Sequence, residues 1–381
     1  MPHAPIELRR AHRQTAGLAW HHAFVIAAPL GDILLMNAAY PTQSKNMGHN
    51  ILLEPQNVSF STSEAQTILE AAQQHNVSLQ KGCVAGVCRV CKLKLISGDI
   101  DYLVGSTVCL TEREVSDNYF LPCCAIARSD IICSAGTAYG ATSQQHPKEG
   151  VVVIYKERRG SVFIVRLKLS RHSRMAASPG QYIDVEAGEN IFRSYSIANV
   201  PQRDGFIELH IRYRQGGVFS ERLKDVIKLN DVLWIKGPQG DFILDESSGR
   251  DLLFMATGTG LAPIQAMLTC GLIKSDKRIH LYWGARCPQD LYFLEVIRDL
   301  ESRYEHFCFT PVWSRAVADD RWKSGMGYVQ DCAKNTIGCL KDFDVYACGS
   351  PAMIQEAFRE FTTTCELPVA QFHSDAFYCH T

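Results

Sequence analysis

Cys83, Cys88 and Cys91 fall within nine residues of one another, and that spacing constrains the chain more than any other feature. A set of thiols at Cys-x4-Cys-x2-Cys converges when a tight loop carries it and one remote cysteine completes it. Ala85, Gly86 and Val87 suit such a loop, because small residues let backbone amides turn toward bound sulfur. With a fourth thiolate the loop supplies what a [2Fe–2S] cluster requires, two ligands per iron. A structural zinc site is the rival reading. Zinc prefers paired Cys-x2-Cys units, so x4 then x2 with one remote partner fits it poorly. Cys109, Cys123, Cys124 and Cys133 lie downstream, and spacing alone leaves the fourth ligand open among them.

The rest of the composition agrees with a metal-bearing rather than a disulfide-built chain. Fifteen cysteines in 381 residues is an odd number in a long sequence, without a signal-peptide pattern in front. That usage points to the cytoplasm. Cys270, Cys287, Cys308, Cys332, Cys339, Cys365 and Cys379 read as packing residues. His12, His21, His22 and the other histidines show no ligand spacing. Lysine plus arginine (39) nearly cancels aspartate plus glutamate (40), so no long-range field favours nucleic acid. The apolar stretch Leu18–Tyr40 is interrupted by His21, His22, Pro29 and Asp32, which argues against a membrane span. Residues 1–48 read as an N-terminal extension of unknown role, or as residues upstream of a true start at Met47.

Three units are expected after it. In residues 49–138, Ile51–Leu53 and Val58–Phe60 read as strands joined by a Pro55-Gln56-Asn57 turn. Ser61, Thr62 and Ser63 are candidate caps for a helix carrying Ile68, Leu69, Ala72 and Val77. The cysteine loop, a strand at Lys92–Ile96 and a polar stretch to Pro122 follow, giving an α+β unit. Gly136–Gly150 has linker composition. Residues 139–247 read as an antiparallel β-barrel, with strands at Val151–Tyr155, Val162–Leu169, Gln181–Val185, Ser194–Ile197, Ile207–Tyr213 and Val232–Lys236. Residues 248–381 alternate strand and helix, the pattern of an α/β parallel sheet: Leu252–Ala256 into Pro263–Thr269, Ile279–Trp283 into Leu291–Leu300, Phe307–Trp313, then Val345–Ala347 into Met353–Thr362.

Two of these units carry nucleotide-type motifs. On a barrel strand, Arg193-Ser194-Tyr195-Ser196 offers a guanidinium fork for pyrophosphate, a flat ring for an isoalloxazine and a hydroxyl near its reactive nitrogen. Gly216-Gly217-Val218-Phe219-Ser220 places glycines ahead of a helix, where amides approach a phosphate closely. Gly237–Phe242 adds a turn, and the set points to FAD. In the α/β unit Thr257-Gly258-Thr259-Gly260 follows the first strand and opens a helix, a natural pyrophosphate site, although Pro263 excludes the Gly-x-Gly-x-x-Gly fingerprint. Cys348-Gly349-Ser350-Pro351 ends a later strand. Cys348 there would lie beside a nicotinamide C4 or serve as a buried packing residue.

Together these motifs resemble the ferredoxin–NADP reductase superfamily, in the subgroup of oxygenase reductase components with an N-terminal plant-type ferredoxin. The resemblance covers residues 49–381 and extends to Leu281–Arg286, Asp290-Leu291-Tyr292, Tyr328-Val329-Gln330 and Phe372–Phe377. It implies a β-grasp fold for the first unit. Leu121-Pro122-Cys123-Cys124 followed by Ser129-Asp130 resembles the ferredoxin pattern that makes Cys123 the fourth ligand beside Cys83, Cys88 and Cys91. It further implies that Arg193, Ser194, Tyr195, Ser196 and Gly217, Val218, Phe219, Ser220 bind FAD. Thr257, Gly258, Thr259, Gly260, Arg286, Cys348, Gly349 and Pro351 would hold the nicotinamide nucleotide, NADH by the subgroup's habit. Ser196, Cys348 and Phe377 would stand at the reacting end. Val84 and Arg89 depart from relatives, many of which have arginine and glycine there; Arg89 would raise the cluster potential or shape a docking face. The expected activity is electron transfer from NAD(P)H through FAD and the cluster to a partner oxygenase. Two alternatives are a deoxysugar-synthesis reductase with a dehydratase partner, and a cluster-binding carrier or sensor without nucleotide turnover.

Overall fold

The structure is a computed structural model that describes residues 48–80, 84, 86–104, 106, 108–134, 147–173, 175–188, 191–315 and 325–377. The N-terminal extension with its histidines and Leu18–Tyr40, Cys83, most of the Gly136–Gly150 linker and Cys379 lie outside the described residues.

The first unit is built around a five-stranded mixed sheet of order β2-β1-β7-β3-β5. Its strands are β1 (His49–Glu54), β2 (Val58–Thr62), β3 (Leu93–Ser97), β5 (Tyr119–Phe120) and β7 (Ile131–Ser134), while β4 (Ile100–Tyr102) pairs with β6 (Ala125–Ala127). β1 and β2 form the expected hairpin, and β1 runs parallel to β7. Helix α1 (Ile68–Gln74) buries Ile68, Leu69, Ala71 and Ala72 against the sheet. Its cap is not in Ser61–Ser63, as expected. Thr67 accepts from the Glu70 amide while Glu70 reaches back to the Thr67 amide, a complete capping box, and Thr62 belongs to β2. A second boxed helix, α2 (Glu112–Ser116), lies in the stretch read only as polar.

The second unit is a six-stranded antiparallel sheet of order β11-β10-β13-β8-β9-β12. The strands are β8 (Glu149–Arg159), β9 (Val162–Lys168), β10 (Tyr182–Gly188), β11 (Ile191–Ser196), β12 (Ile207–Arg212) and β13 (Val232–Gln239), with short helix α3 (Pro201–Asp204) and helix α4 (Val218–Asp225). β10 alternates buried and half-buried residues along its length, the period of a strand with one face on a core. The two edge strands approach through a single bridge, Ile197 to Leu209.

The third unit is a six-stranded parallel sheet of order β17-β16-β15-β14-β18-β19. It contains β14 (Asp251–Thr257), α5 (Leu261–Thr269), β15 (Ile279–Ala285), α6 (Leu294–Arg303), β16 (Phe307–Trp313), β17 (Gly325–Met326), α7 (Val329–Ile337), β18 (Phe343–Gly349), α8 (Pro351–Thr364) and β19 (Phe372–Ala376). β18 is buried throughout, because helices cover both faces of a parallel sheet. The α6 helix begins at Leu294, not Leu291: Leu291, Tyr292 and Phe293 are buried side chains of a loop that precedes it. The chain steps from β14 outward to β15–β17, then returns to β18 on the other side. Strand order therefore reverses between β14 and β18, and the crevice beyond their C-terminal ends is where such sheets bind ligands.

The units share apolar cores. Val162, Ile164, Phe242 and Leu244 of the second pack into one face of the third. Val87 and Cys109 of the first pack into the other, beside Phe358, Phe372 and Ala376. Complete burial of a side chain like Val87 contributes roughly 1.5–3 kcal/mol.

Candidate functional site

Among its described residues the cysteine loop leaves ordinary backbone space at three points: φ is 55° at Val84, 74° at Gly86 and 65° at Arg89. This turns the Gly86 amide toward the core, where it donates to the Cys123 sulfur at 3.2 Å. Cys88, Cys91 and Cys123 are brought together. The Cys91 thiol is raised by its hydrogen bond to Cys123 and by burial, with the charge of Cys88 adding to both. Cys123 is lowered, first by hydrogen bonds from Cys124 and Cys91 and then by the Gly86 amide, against the upward pull of burial. Cys124 lies 3.4 Å from Cys123, sulfur to sulfur. Cys133, the other remote candidate on β7, is pushed up to about 12 by burial. Cys109 instead packs toward the third unit, its amide closing the loop on the Gly86 carbonyl at 2.9 Å. An all-thiol set with an inward amide fits a [2Fe–2S] cluster. Among the described residues no trio of His, Cys, Asp or Glu gathers as it would around a single ion, and the remaining member of the motif, Cys83, is not among them.

The two flavin-type motifs meet. The Tyr195 ring on β11 stands 5.4 Å from the Phe219 ring on α4, and burial pushes its hydroxyl above the usual tyrosine range. Ser196 is buried at the end of the same strand, and Ser194, exposed, donates to Asp184 at 2.6 Å. Arg193 is half-buried and donates to the Phe192 carbonyl. α4 has no side-chain cap at Gly217, which leaves its first amides to an anion. A Cβ on Gly217 would lie 2.7 Å from the Ser220 hydroxyl, so only glycine keeps this approach open. Ser220 itself braces the loop, donating to the Arg214 carbonyl and accepting from the Arg214 amide.

At the crevice of the parallel sheet, Thr257–Gly260 and Cys348–Pro351 lie against each other. A Cβ on Gly260 would be 2.2 Å from the Cys348 carbonyl oxygen, and one on Gly349 would be 2.2 Å from the Thr257 hydroxyl. That hydroxyl accepts from the Ser350 amide at 2.7 Å, and the Trp283 indole donates to the Gly258 carbonyl at 2.9 Å. The Phe377 amide donates to the Gly349 carbonyl, which sets the expected terminal aromatic beside Cys348. Burial pushes the Cys348 thiol well up, so it stays protonated. Arg286 is exposed at the C-terminal end of β15. Ser196 ends β11 of the antiparallel sheet, and Cys348 lies near the end of β18 of the parallel one.

Some residues of the site were missed by sequence reasoning. Arg212, at the end of β12, points its guanidinium at the nucleotide loop: a Cβ on Gly258 would meet its Nη2 at 3.0 Å. Its Nε is buried without a hydrogen-bond partner among the described residues. The only available signal was its place four residues before Gly216-Gly217. Glu208 and His210, also on β12, form a buried network with Arg166, Gln265 and Tyr292 that ties the antiparallel sheet to the third unit. A cavity of about 150 Å3 is lined by Cys88 and Val90 from the first unit, Gly180, Tyr182, Gly240, Asp241 and Phe242 from the second, and Phe372–Asp375 from the third. Burial pushes the Asp375 carboxyl up to about 7.

Comparison with known proteins agrees with this division. Residues 51–128 match the 2Fe-2S iron-sulfur cluster binding domain, 152–243 the oxidoreductase FAD-binding domain and 254–359 the oxidoreductase NAD-binding domain. The chain is 32% identical to DmpP, the reductase component of phenol 2-monooxygenase from Pseudomonas sp. (strain CF600), over 82% of this chain and 89% of that one. It is 34% identical to the CDP-6-deoxy-L-threo-D-glycero-4-hexulose-3-dehydrase reductase of Yersinia pestis, over 87% and 99%. The crystal structure of the Amycolatopsis cytochrome P450 reductase GcoB superposes with a TM-score of 0.62 at 26% identity, covering 86% of this chain and 98% of that one. With all three domains in this order and such relatives along nearly their whole length, the chain belongs to the ferredoxin–NADP reductase family, in the group of flavin- and nicotinamide-binding reductases that carry an N-terminal [2Fe–2S] domain.

Proposed function

We propose that the protein is a cytoplasmic reductase that takes hydride from a nicotinamide nucleotide, NADH by preference, and delivers single electrons to a partner oxygenase. The observation that carries this reading is the cavity to which all three domains contribute, with a cysteine of the cluster loop on one wall and the antiparallel sheet on another. When bound, FAD supplies the exchange between a two-electron hydride and single electrons, and the cluster carries electrons one at a time. Cys83, Cys88, Cys91 and Cys123 would hold the cluster. Arg193, Tyr195, Ser196 and the Gly217–Ser220 amides would hold FAD on a sheet closed into a barrel at the Ile197–Leu209 bridge. Thr257–Gly260, Arg286 and Cys348–Pro351 would hold the nucleotide, with Arg212 placing positive charge beside its loop. Cys348, protonated and buried, acts as a small wall against which a flat ring is oriented. Phe377 covers the same place from the chain's other side. The chain's work is positioning and exclusion of water rather than acid–base chemistry.

The relative from Yersinia pestis favours a second reading, in which the acceptor is a dehydratase. Anaerobic titration of purified protein tests the common core. One cluster and one FAD per chain, both bleached by NADH at lower concentration than NADPH, are expected. Cys123→Ser should abolish the cluster bands and transfer to an oxygenase, while nucleotide-driven ferricyanide reduction persists. Iron without flavin, or no bleaching by either nucleotide, would leave only a carrier or sensor.

A further inference from the structure

The residue between Cys88 and Val90 does something that neither neighbour does. Cys88 and Val90 face the three-domain cavity, whereas Arg89 reaches to the opposite side and joins two domains. In the first domain its guanidinium pairs with Glu114 of α2, which also binds Lys92 at 2.5 Å. In the third domain the same guanidinium lies 5.2 Å from the centroid of the Phe358 ring on α8 and donates to the Val369 carbonyl at 3.5 Å. Both partners of the ion pair are well covered, with side-chain exposures of 15% and 14%. Next to it Val87 is buried in the apolar cluster of the third domain, and its carbonyl accepts from the Ser374 hydroxyl of β19 at 3.1 Å. Arg89 holds a left-handed φ of 65°, a conformation that glycine adopts freely and arginine does not. Its side-chain contacts are what favour arginine at this point.

We propose that Arg89 is a positioning residue: a clamp between α2 and α8 that seats the cysteine loop on the nucleotide domain with Cys88 turned to the flavin sheet. The inference rests on the functional reading above and deepens it. Arg89 does not line the cavity; it acts through the loop it pins. Its planar fork suits the task, since it pairs with a carboxylate at one edge while stacking on a ring, which an ammonium cannot do equally well.

The test uses the iron- and flavin-loaded protein with Arg89→Gly, Arg89→Lys, Glu114→Gln and Phe358→Leu. Glycine suits the local backbone, so Arg89→Gly removes the clamp without straining the loop. Two readouts are taken: hydrogen exchange of residues 86–91 and 372–376 without nucleotide, and separate bleaching of flavin and cluster bands after rapid mixing with NADH. Arg89→Gly should speed exchange in both segments several-fold and slow cluster bleaching roughly tenfold or more, leaving flavin bleaching unchanged. Arg89→Lys should fall between. Unchanged exchange and unchanged cluster bleaching in Arg89→Gly would overturn the clamp. If Arg89→Gly fails to retain its cluster, Phe358→Leu decides, because it removes the ring under the guanidinium and leaves the Arg89–Glu114 pair in place: faster exchange in the loop supports the clamp, and wild-type exchange overturns it. If Glu114→Gln alone reproduces the Arg89→Gly effects while Phe358→Leu does nothing, Arg89 merely secures α2 and the proposal fails. Loss of flavin bleaching in the unmutated protein would sink the functional reading instead, and the exchange readout does not depend on it.

Discussion

The crossing of Thr257–Gly260 over Cys348–Pro351 and the cysteine loop solve the same problem by opposite means. Both bring backbone close to where a cofactor is expected. At the crossing, Gly260 and Gly349 are required by space: a methyl group on either would meet an oxygen at 2.2 Å. In the loop, three of the described residues are left-handed and only Gly86 of them is glycine; Val84 and Arg89 adopt the same region with side chains attached. The crossing is therefore fixed from within by sterics, and the loop from without by thiols, the Gly86 amide bond and contacts across the domain boundary. A steric requirement writes itself into the sequence as glycine. A conformation held by partners leaves no such mark.

That contrast sets an order of expected effects. Gly260→Ala should be the most damaging, costing about 3 kcal/mol in the melting of the nucleotide domain, since backbone on both sides must move. NADH bleaching should weaken with it. A melting midpoint and an NADH titration would check both, and an unaltered midpoint would mean that the crossing can spread after all. Next come two carboxyls whose titrations run in opposite directions. Burial pushes Asp375, paired with Cys348 across β18 and β19, up to about 7, so its contribution is full below the ordinary carboxylate range and is lost as pH rises to 7. Asp375→Asn should then stabilise by about 2 kcal/mol at pH 8 and by little at pH 4. Glu114 feels burial upward, but hydrogen bonds from Lys92 and the Thr111 amide and the Arg89 charge hold it at about 2. Its contribution is full above the ordinary range and is lost as pH falls through it, so Glu114→Gln should cost about 1–2 kcal/mol at pH 7 and fade toward pH 3. Thermal midpoints between pH 3 and 8 compare the two; slopes of the same sign would break the distinction. The smallest effect is expected at Val84, which is 48% exposed. Val84→Gly relieves a left-handed valine but adds freedom to the unfolded chain, for a net change within about 0.5 kcal/mol. A larger loss by chemical unfolding would show that this side chain, too, holds the loop.

The same distinction explains which parts were legible. The cysteine spacing, the strand alternation of the second unit and the glycines at β14 and β18 are local necessities, and each pointed to the right class of structure. The misread cap at Ser61–Ser63 had three hydroxyls near the helix, but the reciprocal Thr67–Glu70 pair settles the start four residues later. Leu291–Phe293 look like the first turn of a helix because they are apolar; they are apolar because they fill the core around Trp283 and His210. Helix α7 and strand β19 were seen as motifs and not as elements, since each is short and takes its shape from β15, α8 and β18. Arg212, Asp375 and the reach of Arg89 to Phe358 depend on contacts between distant segments, and no window along the chain contains both ends of them.

The seal over Val87 also has a consequence for the order of events on the ribosome. Ser374, which closes on the Val87 carbonyl, follows it by 287 residues. At ordinary synthesis rates of about 5–20 residues per second, roughly 15–60 s separate the emergence of the cysteine loop from that of its cover. For that interval Val87 lacks the partners that Ser374, Phe358 and Phe372 give it in the finished chain.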